Sequence, residues 1–424
     1  MDNRNDKLQI KQGTFLNGLK SIKFRTGFSI ELDCNCLPES LTQLEFNNVI
    51  FSSPFTEFTL HENITSLTFT GRDFKQTIES TWLPKSIKSL DLEYCTSFQQ
   101  PILIKHKLPI SLITLKLNKN YFGKIEPKSI PKSVTTLKFN INSNNNLLNI
   151  PRSTTTLIFE NEFNNILNDG DIPENVSTIR FGNNFNQIIN ENSLPMSLTK
   201  LSFGVNFNQA IQENSLPSNL LKLKFEQDFN QPLLNNLIFK NQLNNLKSLK
   251  FGWYYNQLIN IPNSGGGDGG GSSEFNEIYK KLKTLKFGSG FNQIINKSSL
   301  PSTLKKLDLG GYNHPLTLVS FPNSLEYLTI CYNFNNPNAI GPSILPSNLK
   351  SLTIINYSNR IIDLSPINCL PSSLNYIHIY GFLPIFDINT IPKNLNVIYC
   401  DRYARYIKNL DTHFISKYIK YRDD

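Results

Sequence analysis

Three consecutive stretches of this chain are close copies of one another: IPENVSTIRFGNNFNQIINENS from Ile172, LPMSLTKLSFGVNFNQAIQENS from Leu194 and LPSNLLKLKFEQDFNQPL from Leu216. A fixed short period constrains a chain more than its composition does, because every unit must then solve the same packing problem in the same way. Counted from the Leu-Pro position, units begin near 15, 37, 60, 83, 108, 130, 150, 172, 194, 216, 242, 278, 300, 321, 345, 370 and 391. That makes seventeen units of mostly 20–26 residues. The long interval from 242 to 278 holds SGGGDGGGSS at 264–273, a flexible loop insertion by composition.

Within the unit that starts at 194, Leu201 and Phe203 stand two residues apart and point to one side of a strand, while Lys200 and Ser202 point to the other. Pro195 precedes that strand, where a missing amide does least harm, and Gly204 follows it and permits a turn. Phe207 and Ile211 bring the return leg back to the interior. One strand, two turns and a return leg make one coil. A single coil buries too little apolar surface to offset the entropy of ordering its backbone, so coils must stack. The expected fold is a repeat β-solenoid with a parallel sheet along one face, preceded by a polar segment over 1–14. After the array, 401–424 places Tyr403, Ile407, Leu410, Phe414 and Tyr418 at spacings of three and four, opposite Arg405, Lys408, Lys417 and Lys420. That spacing predicts a C-terminal amphipathic helix capping the last coil; a basic helix of this kind can also lie on a membrane.

The recurrent Phe-Asn-Gln has its own physical logic. Asn186, Asn208, Asn230, Asn256 and Asn292 each follow Phe or Tyr just after the turn. An amide side chain both donates and accepts, so one Asn per coil can satisfy turn backbone groups as a ladder along the stack. Ligand binding is the alternative use for such a row.

The motif LPxSLxxLxFGxxFNQxI resembles the FNIP repeat, a leucine-rich-repeat-like unit of social amoebae and some large DNA viruses. The likeness spans roughly 15–400 and is strongest at 150–235 and 278–310. It implies a leucine-rich-repeat-like horseshoe and a role in protein–protein interaction. Some members carry an F-box or a kinase domain beside the repeats. About fourteen residues precede the first unit here, so neither module is expected.

Chemistry is sparse along the chain. The glycines of 265–271 lack a following Gly-Lys-Ser/Thr and lie in an insertion, not between a strand and a helix. Cys34-Asn35-Cys36 has no second pair at zinc spacing. Asp91 and Glu93 flank a strand residue, as paired acids do in some hydrolases, but the equivalent positions in neighbouring units are Thr68 and Lys116. The five histidines are dispersed. No catalytic, metal-binding or cofactor-binding residues are assigned, and an enzyme is not expected. The terminus MDNRNDKLQI lacks an apolar leader, no run of residues is long and apolar enough to span a bilayer, and six scattered cysteines form no disulfide framework. The expectation is a cytoplasmic protein.

Alternation exposes one set of strand residues to the outside of the sheet. Among these, Lys116, Lys138, Arg180, Lys200, Lys222, Lys224, Lys250, Lys286 and Lys306 make the middle of the array basic, and Tyr327, Tyr376, His378 and Tyr399 make its end aromatic. With a net charge of +9, that face is expected to take partner proteins with acidic surfaces, as a scaffold or adaptor on the concave sheet. Nucleic acid along the basic stripe and partner recognition within a ubiquitin-ligase-type complex are the alternatives, and an ordinary solvated sheet face is the bland one.

Overall fold

The Leu-x-Phe core of the repeats forms short strands, and within each of two compact units the strands of successive repeats pair in parallel. The computed structural model describes residues 7–25, 29–32, 35–51, 53–106, 108–118, 120–121, 123–139, 147, 150–233, 243–259, 279–295, 299–331, 340–356, 362–381, 384–387, 389–400 and 416–421. The insertion at 264–273 lies outside them. The described chain is a parallel β-solenoid that divides into two compact units, residues 1–204 and 205–424.

In the first unit the sheet runs through Ser21–Phe24, Gln43–Asn47, Ser66–Thr70, Ser89–Asp91, Thr114–Lys116, Thr136–Phe139, Thr156–Phe159, Thr178–Arg180 and Lys200–Ser202. In the second it runs through Lys222–Lys224, Ser248–Lys250, Thr284–Lys286, Lys306–Asp308, Tyr327–Cys331, Ser351–Asn356, Tyr376–Gly381, Val397–Cys400 and Ile419–Tyr421. Equivalent repeat positions are register partners throughout, so Leu223 lies beside Leu249 and Leu249 beside Leu285. The long insertion leaves that register intact, because it enters outside the strand. Among the described residues, helix is confined to single turns, such as Ile104–His106 and Leu316–Leu318.

The recurrent Leu and Phe positions of the motif turn inward. Leu198, Leu201, Phe203, Phe207 and Ile211 are buried, as are Leu220, Leu223, Phe225, Phe229 and Leu233. Their rings form continuous piles: Phe225 stacks on Phe229 within its coil at 3.7 Å and on Phe251 of the next coil at 5.8 Å. Phe251 in turn stacks on Tyr255 at 3.7 Å and on Phe287 at 5.8 Å. The Leu-Pro turn closes on itself, with the Leu198 N–H donating to the Pro195 carbonyl at 3.0 Å. Glycine after the strand is needed because coils touch there backbone to backbone. A Cβ on Gly288 would stand 1.8 Å from the Gly252 carbonyl oxygen.

At both ends the structure adds a short strand. Lys7–Ile10, inside the expected polar lead, is a strand paired with Ser29–Leu32, and Ile50–Phe51 completes this small second sheet. Of the expected C-terminal helix, Tyr403, Ile407, Leu410 and Phe414, with Arg405 and Lys408, lie outside the described residues. Lys417 and Tyr418 sit in one helical turn, and Ile419–Tyr421, including Lys420, is a strand parallel to Val397–Cys400. A strand offers its neighbour a row of backbone donors and acceptors, and Ile419 gains a buried place beside Ile398 by pairing there. Side-chain spacing alone does not register that attraction.

Candidate interaction surface

The Asn of Phe-Asn-Gln joins each coil to the next. Within 205–424, the Asn208 side-chain oxygen accepts the Asn230 N–H at 2.9 Å and the Gln231 amide at 3.1 Å. Asn230 does the same for Asn256 and Gln257, at 2.9 and 3.1 Å. Asn256 accepts the Asn292 N–H, and Asn292 accepts the Asn313 N–H, both at 2.8 Å. Where Gln gives way to His, the His314 ring nitrogen takes over, 2.9 Å from the Asn292 carbonyl oxygen. In the first unit Asn164 receives Asn186 and Gln187. The row lies at the surface: Asn186, Asn230 and Asn256 are partly exposed, and Asn208 and Asn292 exposed. Turns face water by nature, so the amides staple backbone without being buried. Sequence reasoning missed a second row. The Ser or Thr of LPxSL donates its hydroxyl to a carbonyl of the preceding coil, as in Ser197 to Val176, Thr303 to Leu282 and Ser373 to Leu349, at 2.7–2.8 Å. Its recurrence in the motif was the available signal.

On the outward face of the first unit, the cations are not equivalent. Lys116 binds Asp91 at 2.7 Å, and Lys138 lies between Glu93 at 2.6 Å and Glu160 at 3.1 Å. The side chains of Lys138 and Glu160 keep only 14% and 7% of their exposure. Burial opposes the charge on Lys138, but its two carboxylate partners outweigh that and raise its pKa. Burial raises the Glu160 pKa against the pull of Lys138, and the bond to Asp91 raises that of Lys116. Three carboxylates therefore hold two ammonium groups, and Lys116 and Lys138 are engaged inside the fold instead of standing free for an acidic partner. Glu160, not singled out from the sequence, occupies the position where the next two coils carry Gly182 and Gly204. Arg180 and Lys200 are exposed and, among the described residues, meet no carboxylate.

The second unit gathers the remaining cations. Lys224, Lys250 and Lys286 are direct register partners in successive strands, about 4.8 Å apart. Lys224 pairs with Glu226, and Lys286 with Asp308 at 2.9 Å, so the ends of the column are neutralised. Lys250 in its middle, and Lys222 beside it, have no carboxylate partner among the described residues. Lys306 lies with its ammonium 4.5 Å from the centre of the Tyr327 ring. Lys247 and Lys283, just ahead of the strands, are also exposed.

Burial pushes Cys95 up to about 12 and Cys369 up to about 11, away from the thiolate form. Among the described residues, no group of three or more His, Cys, Asp or Glu side chains is placed to hold a metal ion. No helix among them is long and apolar enough to cross a membrane.

Stacked parallel strands with a Leu-rich inward row define a leucine-rich-repeat-type solenoid. The chain belongs to the FNIP Repeat family, whose model matches residues 6–48, 51–95, 98–141, 123–162, 163–206, 207–239, 274–311 and 312–357. The crystal structure of CroV588, described as a novel circular LRR protein, is similar over 99% of this chain and 72% of that one, with 29% identity and a TM-score of 0.60. A TLR13–ssRNA13 complex shares the fold over 93% of this chain and 67% of that one, at 15% identity and a TM-score of 0.56. In Dictyostelium discoideum, the probable serine/threonine-protein kinase fnkA is 41% identical over 95 residues. That stretch is 22% of this chain and 11% of the kinase, so the chain spans only a small part of this relative.

Proposed function

We propose that the chain is a non-enzymatic, cytoplasmic scaffold or adaptor whose second unit holds acidic segments of partner proteins on the outward face of its sheet. The observation that carries this reading is the column Lys224–Lys250–Lys286, stacked in register with its central ammonium meeting no carboxylate among the described residues. Like charges placed directly opposite one another across strands cost stability. A binding function gives that cost a use, because an acidic segment laid along the column neutralises it. Fold and family support an interaction module. The fnkA likeness spans only 11% of that kinase, and we assign the repeats of this chain a docking role and not phosphoryl transfer. Cys36, Cys95, Cys369 and Cys400 are buried and form no disulfide, which suits a reducing compartment.

The test is anisotropy titration of the full chain with a fluorescent acidic peptide. Lys222→Glu with Lys250→Glu is expected to weaken binding at least ten-fold, and Lys116→Glu to leave direct binding within about two-fold once folding is checked. An unchanged affinity in the double variant overturns the placement.

A further inference from the structure

The outward face of the second unit changes character abruptly between two adjacent strands. From Lys222–Lys224 to Lys306–Asp308 it is lysine-rich, and the second position after the next three strands is Gly252, Gly288 and Gly310, which adds no side chain. From Tyr327–Cys331 to Val397–Cys400 the strands lengthen to between four and six residues. Their outward positions carry Tyr327, Thr329, Thr353, Tyr376, His378 and Tyr399, with no Lys, Arg, Asp or Glu on that face of these strands. Tyr327 and Tyr376 are each 41% exposed. The boundary is a contact, Lys306 over the ring of Tyr327.

We infer that this face is a two-part groove for one extended polypeptide segment of a partner protein, acidic at one end and aliphatic or aromatic at the other. This rests on the docking function proposed above and specifies its ligand. Charge complementarity places the acidic end over Lys222 and Lys250, which meet no carboxylate among the described residues. Tyrosine, with a flat apolar body and a polar tip, is enriched where binding energy concentrates, and it suits an apolar end over Tyr327 and Tyr376. The eight strands from Lys222–Lys224 to Val397–Cys400 pair consecutively. Seven steps of about 4.8 Å span roughly 34 Å, the length of about ten extended residues at about 3.3 Å each. A single nucleic-acid strand is disfavoured by how the rings are used. His378 and Tyr399 stack on each other at 5.1 Å, so their facing ring surfaces are closed to bases. The cations also lie to one side of the rings, not between them.

The experiment uses the full chain and three fluorescent probes of equal length. These are a peptide with five glutamates followed by Gly and Ser, one with the same glutamates followed by Leu and Phe, and a single-stranded oligonucleotide. Each is titrated at low and high salt. The composite peptide is expected to bind at least ten-fold tighter than the acidic one, with the excess surviving high salt. Tyr327→Ser and Tyr376→Thr, checked for folding by circular dichroism, should each reduce the excess and leave the acidic peptide unchanged. Equal affinity for the two peptides overturns the two-part groove while the docking function stands. Binding of neither overturns both. An oligonucleotide that binds tighter than the composite peptide, and loses affinity in the tyrosine variants, overturns the polypeptide assignment.

Discussion

Asn230 shows how much one side chain does in a repeat. Its oxygen accepts the Asn256 N–H and the Gln257 amide, and its own N–H donates to Asn208. Asn230→Ala leaves two donors of the next coil to water; since the row is partly exposed, the expected loss is about 1 kcal/mol, the low end for a broken bond. Asn230→Asp keeps the acceptor and should lose less. Chemical denaturation of both variants measures this, and equal losses would mean that the oxygen is not what matters. Glu326 supplies a pH test. Hydrogen bonds from Lys305 and then Lys350 hold its carboxyl at about 2, below the ordinary 4.5. A depressed carboxylate pKa stabilises the fold above the ordinary value, and that contribution is lost as pH falls from about 4.5 towards 2. In an NMR titration its midpoint should lie near 2 and return towards 4.5 in Lys305→Ala with Lys350→Ala.

Strands in this sheet bear opposite fates for the same residue type. Lys138 is locked between Glu93 and Glu160, whereas Lys250 faces lysines on both sides. Relieving the like-charge column should therefore stabilise the protein: Lys250→Thr is expected to gain about 0.5 kcal/mol while losing affinity for acidic peptides. Thermal melts and anisotropy on one preparation check both signs, and a destabilised variant would show that the column costs nothing. Lysine at a strand's outward position was legible from alternation. Whether it was free was not, because Glu93 lies 45 residues from Lys138 and Glu160 takes a position that the motif gives to Gly.

At the scale of the molecule, coils contact their neighbours and little else, so damage should stay local. Phe251 stacks on Phe225, Tyr255 and Phe287. Phe251→Ala is expected to cost about 3–5 kcal/mol by opening a cavity in that pile. Hydrogen exchange should then rise over 222–295 before it rises over 376–400. Uniform exchange across the second unit would show that the coils unfold as one cooperative block.

The period, the inward Leu and Phe positions, the strand after each Leu-Pro and the Asn row were all present in the sequence. They are local and repeated, and a repeat must place equivalent residues in equivalent environments. The tertiary structure decided what depends on unlike neighbours. It tied Lys116 and Lys138 to carboxylates, gave Lys250 no carboxylate among the described residues and brought Ile419–Tyr421 to the edge of Val397–Cys400 as a strand. Those outcomes turn on which charge or backbone edge comes within bonding distance once coils stack. A motif that states only what each coil has in common carries no record of that.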